Sequence, residues 1–146
     1  MEREGSFAPA SAAQARERYE SLGPTAQVVV REVAKAMELD RKEYRERVTG
    51  EVIETARDAM FAETLEVTVG TRAAFEQWCD EHPDYEIREV GNENVEHVVW
   101  HAVPFADVVV AATFQNEREA AVGTLRRQAF GSVYRDVVTA TDETEA

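Results

Sequence analysis

The first 62 residues carry hydrophobic spacing of helical period alone, strand-like alternation first appears near residue 63, and that change limits the folds open to the chain. Ahead of it the apolar positions recur at helical spacing. Ser11 is placed to cap a helix over roughly 12–22 with Ala12, Ala15, Tyr19 and Leu22 as its stripe. Gly23-Pro24 closes that helix, and Thr25 caps a second to about Met37. Val30, Val33, Ala34 and Met37 stand there at i, i+3, i+4 and i+7. Asp40 caps a third, charged helix, DRKEYRERV, whose large apolar residues are Tyr44 and Val48. Thr49-Gly50 either breaks the chain or is absorbed into a longer helix, after which Ile53, Ala56 and Met60 face inward. Residues 1–10, with Gly5 and Pro9, read as a short arm.

Beyond residue 63 strand signals appear among helical ones. Leu65-Glu66-Val67-Thr68-Val69 alternates apolar and polar, the mark of a half-buried strand. A helix over 72–82 carries Phe75, Trp78 and Cys79 on one side and ends at Pro83. A strand over 85–90 turns Tyr85 and Ile87 inward, and Gly91-Asn92-Glu93-Asn94 is turn chemistry. VEHVVWHAV (95–103), the Pro104-Phe105-Ala106 turn and DVVVAATF (107–114) form a hairpin, whose second strand is apolar on both faces and therefore central. Asn116 and Glu119 have capping-box spacing for a last helix that buries Ala121, Leu125, Ala129, Phe130, Val133 and Tyr134. The segregation of helices from strands predicts an α+β fold. Three or four N-terminal helices precede β-α-β-β-β-α, with a mainly antiparallel four-stranded sheet and two helices on one face. The expected organisation is a single domain, 1–146, with a helical part 11–62, an α+β part 63–138 and a frayed polar tail 139–146.

Charge restricts the setting. The 146 residues carry 29 acidic and 16 basic side chains, a net charge of -13. Lys35 and Lys42 are the lysines against 14 arginines, and Ile53 and Ile87 the isoleucines against 20 valines. A large acidic excess with scarce lysine points to a halophile's cytoplasm, where molar salt shortens the Debye length to ~3 Å and screens self-repulsion. The burden is uneven: residues 63–98 hold ten acids and two bases, whereas 25–62 hold eight and seven. No apolar run approaches the ~18–20 residues of a membrane span, and the N-terminus lacks a signal-peptide core, which again predicts a cytoplasmic protein.

Few residue patterns suggest chemistry. One cysteine excludes an intramolecular disulfide and a cysteine-based zinc cluster. His97 and His101 share a strand face but lie ~13 Å apart at ~3.3 Å per residue, too far for one ion. Cys79 beside Trp78 reads as a small core residue. No serine sits in a G-x-S-x-G elbow, and the glycines form neither a G-x-G-x-x-G nor a P-loop. No catalytic residue, metal ligand or cofactor is assigned. Arg31, Lys35, Arg41, Lys42, Arg45 and Arg47 would supply phosphate contacts, but interleaved acids and molar salt oppose nucleic-acid binding. The distinctive stretch is Trp100-His101-Ala102-Val103-Pro104-Phe105, and Arg126-Arg127 on the last helix could face the same sheet. Trp100, His101, Phe105, Arg126 and Arg127 are the candidate binding residues, although Trp100 points away from His101 on a regular strand.

Four runs carry a resemblance: SFAPASAAQARERYESLGPTAQVVVREVAKAM (6–37), YRERVTGEVIETARDAMF (44–61), VGTRAAFEQW (69–78) and TLRRQAFGSVYR (124–135). Together they resemble an uncharacterised haloarchaeal protein family, a domain of unknown function, over nearly the whole chain. The resemblance implies a halophilic archaeal source and one domain; it implies no activity and no site residues. The functional expectation is a non-enzymatic interaction or regulatory protein that docks a partner protein. The alternatives are a small-molecule-binding domain or enzyme using His101 and nearby carboxylates, and nucleic-acid binding through the N-terminal helices.

Overall fold

A computed structural model describes residues 1–92 and 94–139. The predicted tail over 139–146 falls almost wholly outside the described residues, and Glu93 of the predicted turn also lies outside them. The chain runs β1 (Glu2–Glu4), α1 (Ala12–Ser21), α2 (Gly23–Ala36), α3 (Arg41–Arg47) and α4 (Gly50–Glu63). It continues through β2 (Val67–Thr71), α5 (Arg72–Glu81), β3 (Glu86–Val90), β4 (His97–Val103) and β5 (Val108–Phe114). α6 (Arg118–Ala129) then passes through a π-helical turn (Phe130–Tyr134) into a short last helix, α7 (Arg135–Val138). The fold is α+β.

Side-chain chemistry sets most helix starts. The Ser11 side chain accepts from the Gln14 amide, Thr71 from Ala74 and Thr49 from Val52, opening α1, α5 and α4. Thr49 thereby divides 40–62 into two helices. Asp40 forms a reciprocal capping box with Glu43, and α3, which buries no side chain fully, depends on it. Two starts differ from expectation. Gly23-Pro24 opens α2 instead of ending α1, because proline's missing N–H costs nothing in a first turn. α6 begins at Arg118 behind Glu117 with no side-chain cap, so Asn116 does not form the predicted box.

The sheet is five-stranded and mixed, ordered β1-β2-β4-β5-β3, where four mainly antiparallel strands were expected. Two placements explain the difference. The arm contributes β1, which pairs antiparallel with β2 through Glu2↔Val69 and Glu4↔Val67. Its Glu-Arg-Glu sequence shows no apolar alternation because it is an outer edge, tied down by Arg118 to Glu2 and Glu4 at 2.9 and 2.6 Å. β3 does not extend the antiparallel ladder; α5 carries the chain across the sheet and β3 joins β5 in parallel, Ile87↔Val109. β5 is therefore flanked by β4 and β3, the central position its two apolar faces require. As an edge residue, Ile87 is half exposed, not inward.

Both sheet faces are covered, by α5 on one and α6 with α1 and α4 on the other, so the expected pair of helices on one face is split. The smaller core sets Phe75, with half-buried Trp78 and Cys79, against Val98, Trp100, Val109 and Ala111. The larger joins the sheet's Val67, Val99, Val103 and Val110 to Ala15 and Tyr19 of α1, Phe61 of α4 and Leu125 of α6. The π-helical turn widens the last helix where Phe130, Val133 and Tyr134 all enter that core. Two glycines are required by the close approach of their neighbours. A Cβ on Gly5, at φ +102°, would overlap the Leu65 carbonyl, and one on Gly91, at φ +116°, would overlap the Thr113 hydroxyl.

The start of the chain's helical layer packs more thinly. α2 buries Ala26, Val30 and Ala34, but Val33 and Met37, expected inward, are 53% and 58% exposed. α4 buries only Phe61 and Ala62, near its end, and Ile53, Ala56 and Met60 are half-buried. The 3.6-residue pattern marks the apolar arc, but α4 is narrower than that arc and covers one side of it.

Candidate functional site

Of the five residues singled out by sequence, three converge. His101 lies on the larger-core face of β4 and is 2% exposed. One ring nitrogen, Nδ1, lies 2.6 Å from the Glu66 carbonyl oxygen, and the other, Nε2, lies 2.6 Å from the Tyr134 hydroxyl. A carbonyl only accepts, so Nδ1 carries the proton and Nε2 accepts from Tyr134. Phe105 approaches the edge of the Tyr134 ring, with centroids 6.2 Å apart. Arg126 spans from α6 to donate through Nε to the Leu65 carbonyl at 2.9 Å.

This cluster is closed. Burial holds the His101 pKa below its ordinary 6.5; the Glu66 carbonyl bond and carboxylate oppose that shift, and the Arg126 charge adds to it. Burial also raises Tyr134, which keeps its proton and stays a donor. The arrangement is a neutral hydrogen-bonded relay that fixes β4 against the start of β2 and the π-helical turn. No carboxylate bonds the His101 ring nitrogens, which are taken by the Glu66 carbonyl and the Tyr134 hydroxyl.

Trp100 and Arg127 lie elsewhere. Trp100 is 2% exposed on the opposite face, its ring centroid 5.2 Å from that of Phe75. Arg127 is exposed on α6 and borders a small cavity of about 250 Å³ with Asp58 and Arg135. Alternation along β4 already separates Trp100 from His101, but the facing of Arg126 and Arg127 depends on how α6 sits. The other candidates for chemistry are also engaged. His82 donates from Nδ1 to the Trp78 carbonyl at 2.7 Å and stacks on the indole; His97 stacks on Phe114. Burial raises the Cys79 thiol, with Asp80, Glu89 and Glu76 adding to the effect, so it is held as thiol.

Trp100 also borders a cavity of about 450 Å³ with Met1, Arg3, Thr68 and Trp78. Two of the other open sites are ones that sequence reasoning misses. The first is a groove of about 440 Å³ between α2 and α3, with Val28, Ala34, Leu39 and Tyr44 as apolar lining and Arg31, Glu32 and Lys35 as charged lining. The Asp40–Glu43 capping box holds Tyr44 there, and Glu38, at φ +57°, turns the chain so that Leu39 faces α2. The second is a cleft of about 520 Å³ at the carboxyl ends of β3 and β5, beside the start of α6. Thr113, Asn116, Thr124 and Gln128 line it, and the Gln128 Oε1 is buried with no hydrogen-bond partner. Neither site leaves a linear motif, because each draws residues from separate elements.

Among the described residues no group of three or more His, Cys, Asp or Glu side chains is arranged to hold a metal ion. No helix among them is long and apolar enough to cross a membrane. No curated protein and no solved structure matches the chain. The family of unknown function DUF5809 matches residues 6–135, and the chain belongs to that family.

Proposed function

We propose that this chain is a non-enzymatic interaction protein of a halophilic archaeal cytoplasm, acting as a single domain that recognises a partner protein through the α2–α3 groove. The observation that carries the reading is the groove's composition. It combines an apolar lining of Val28, Leu39 and Tyr44 with two cations, Arg31 and Lys35, against one acid, Glu32, in a chain of net charge -13. Such a surface suits an acidic segment with apolar anchors, since ion pairs partly buried in the groove are screened much less than exposed ones and buried apolar contacts hold the segment. The His101 alternative has less support, because His101 offers no free ring nitrogen. The nucleic-acid reading has less support, because phosphate binding in molar salt needs more cations than the groove's Arg31 and Lys35 supply.

The test is affinity purification of the tagged chain from native lysate in molar potassium chloride, with half the sample nuclease-treated. A stoichiometric protein that survives nuclease and is lost from R31E/K35E is the expected result. Loss with nuclease supports nucleic acid instead, and a protein retained equally by R31E/K35E sinks the groove.

The halophilic setting has its own test. Raising potassium chloride from about 0.1 M to 1 M contracts the Debye length from ~10 to ~3 Å and screens the repulsion of a -13 chain. The melting temperature is expected to rise over that range. A flat or falling profile removes the argument from charge.

A further inference from the structure

We infer that the open side of α2 associates with a second copy of this chain, as a two-fold dimer. This stands independently of the groove, which lies on another side of the same helix. Val29, Val33 and Met37 recur every four residues and form a stripe beside the buried Ala26, Val30 and Ala34. They are 41%, 53% and 58% exposed, and Val52 near the start of α4 adds a fourth apolar side chain at 42%. Among the described residues, these four make up half of the exposed large hydrophobics.

Three observations select the occupant. The layer carrying the stripe has a thin core of its own: α3 buries nothing fully, and α4 buries nothing before Phe61. Such a layer gains from a cover present whenever the chain folds, and a second copy is always available at equal concentration. Charge points the same way. Even with a ~3 Å Debye length, acids brought into direct contact across an interface repel; residues 63–98 are net -8, but 25–62 is net -1. The stripe is also self-complementary. An antiparallel two-fold pairing sets Val33 against its own counterpart and Val29 against Met37 of the other copy. Thr25 and Ala36, small residues on the flank, permit an interaxial distance of about 8–10 Å. Two-fold pairing is the commonest closed symmetry. A stable contact of ~800 Å² per partner must run along the ~21 Å length of α2 and take in the side chains that flank the stripe.

The experiment is light scattering coupled to size exclusion on the purified full-length chain in molar potassium chloride. The expected mass is twice the 16.4 kDa of one chain, falling to a single chain in Val33→Glu with an unchanged far-UV spectrum. A second variant guards against misfolding: Cys79→Ser with Val33→Cys is expected to cross-link quantitatively under a mild oxidant, because the two-fold places the two thiols together. A monomeric wild type overturns the inference, as does a dimer that persists in Val33→Glu or fails to cross-link through position 33. A wild type monomeric alone whose lysate partner is lost in Val33→Glu assigns the stripe to a different protein. That outcome overturns the dimer while leaving the interaction reading standing.

Discussion

Phe61→Ala is expected to lower the unfolding free energy by about 3–5 kcal/mol, a large share of the ~5–15 kcal/mol typical of a domain. Phe61 is fully buried and its ring meets four others. Centroids of Phe7, Tyr19, Phe130 and Tyr134 lie 5.6, 6.1, 5.6 and 5.3 Å away. These partners come from the N-terminal arm, α1 and the π-helical turn, so one side chain joins the helical layer to the last helix. Truncation removes its burial and leaves a cavity bordered by rigid rings, which relax poorly into the space. Urea denaturation in molar potassium chloride measures the loss without the ionic effect of guanidinium. Phe61→Leu, which retains most of the volume, is expected to lose clearly less. A Phe61→Ala loss below about 1 kcal/mol, within the range of an exposed substitution, means that this cluster does not join the layers.

The second large effect is a loss of stability in mild acid that depends on His101. Its folded pKa is lowered, by burial foremost, while the unfolded chain binds a proton near 6.5. A depressed folded pKa contributes stability above the unfolded value, and that stability is lost as pH falls below it toward the folded pKa. The slope approaches about 1.4 kcal/mol per pH unit in that window. Protonation would also set an Nε2–H against the Tyr134 hydroxyl, which must then reverse its role. The Glu66 carbonyl and the Tyr134 hydroxyl bond the ring, while the Glu66 carboxylate and the Arg126 guanidinium act on it through their charge. His101→Gln is expected to be less stable at neutral pH by about 1–3 kcal/mol, since a buried partner is left unpaired. Between about pH 6.5 and 5 its stability should change less than that of the wild type. Parallel profiles for the two proteins place the acid sensitivity in carboxylates instead.

Much of the fold is legible in the amino-acid sequence. Ser11, Asp40 and the strand alternation are local signals, and the elements they announce appear close to the expected positions. β1 and the pairing of β3 are not legible there. Glu-Arg-Glu carries no burial signal at an outer edge, and nothing in Glu86–Val90 specifies that its neighbour is parallel. The site residues divide in the same way. His101 and Trp100 face opposite sides by strand period alone. Tyr134 lies 33 residues from His101, and no local pattern links them.

Element type, most boundaries, the central place of β5 and the acidic imbalance follow from the order of residues alone, because capping, periodicity and charge act over a few positions. Which arc of each helix is covered is settled only by tertiary packing. α2 displays a wide apolar face, but contact with the narrower α4 separates buried Val30 from exposed Val33. Packing likewise seals His101 between a carbonyl and a tyrosine, since burial and hydrogen-bond partners are properties of a neighbourhood assembled from distant segments.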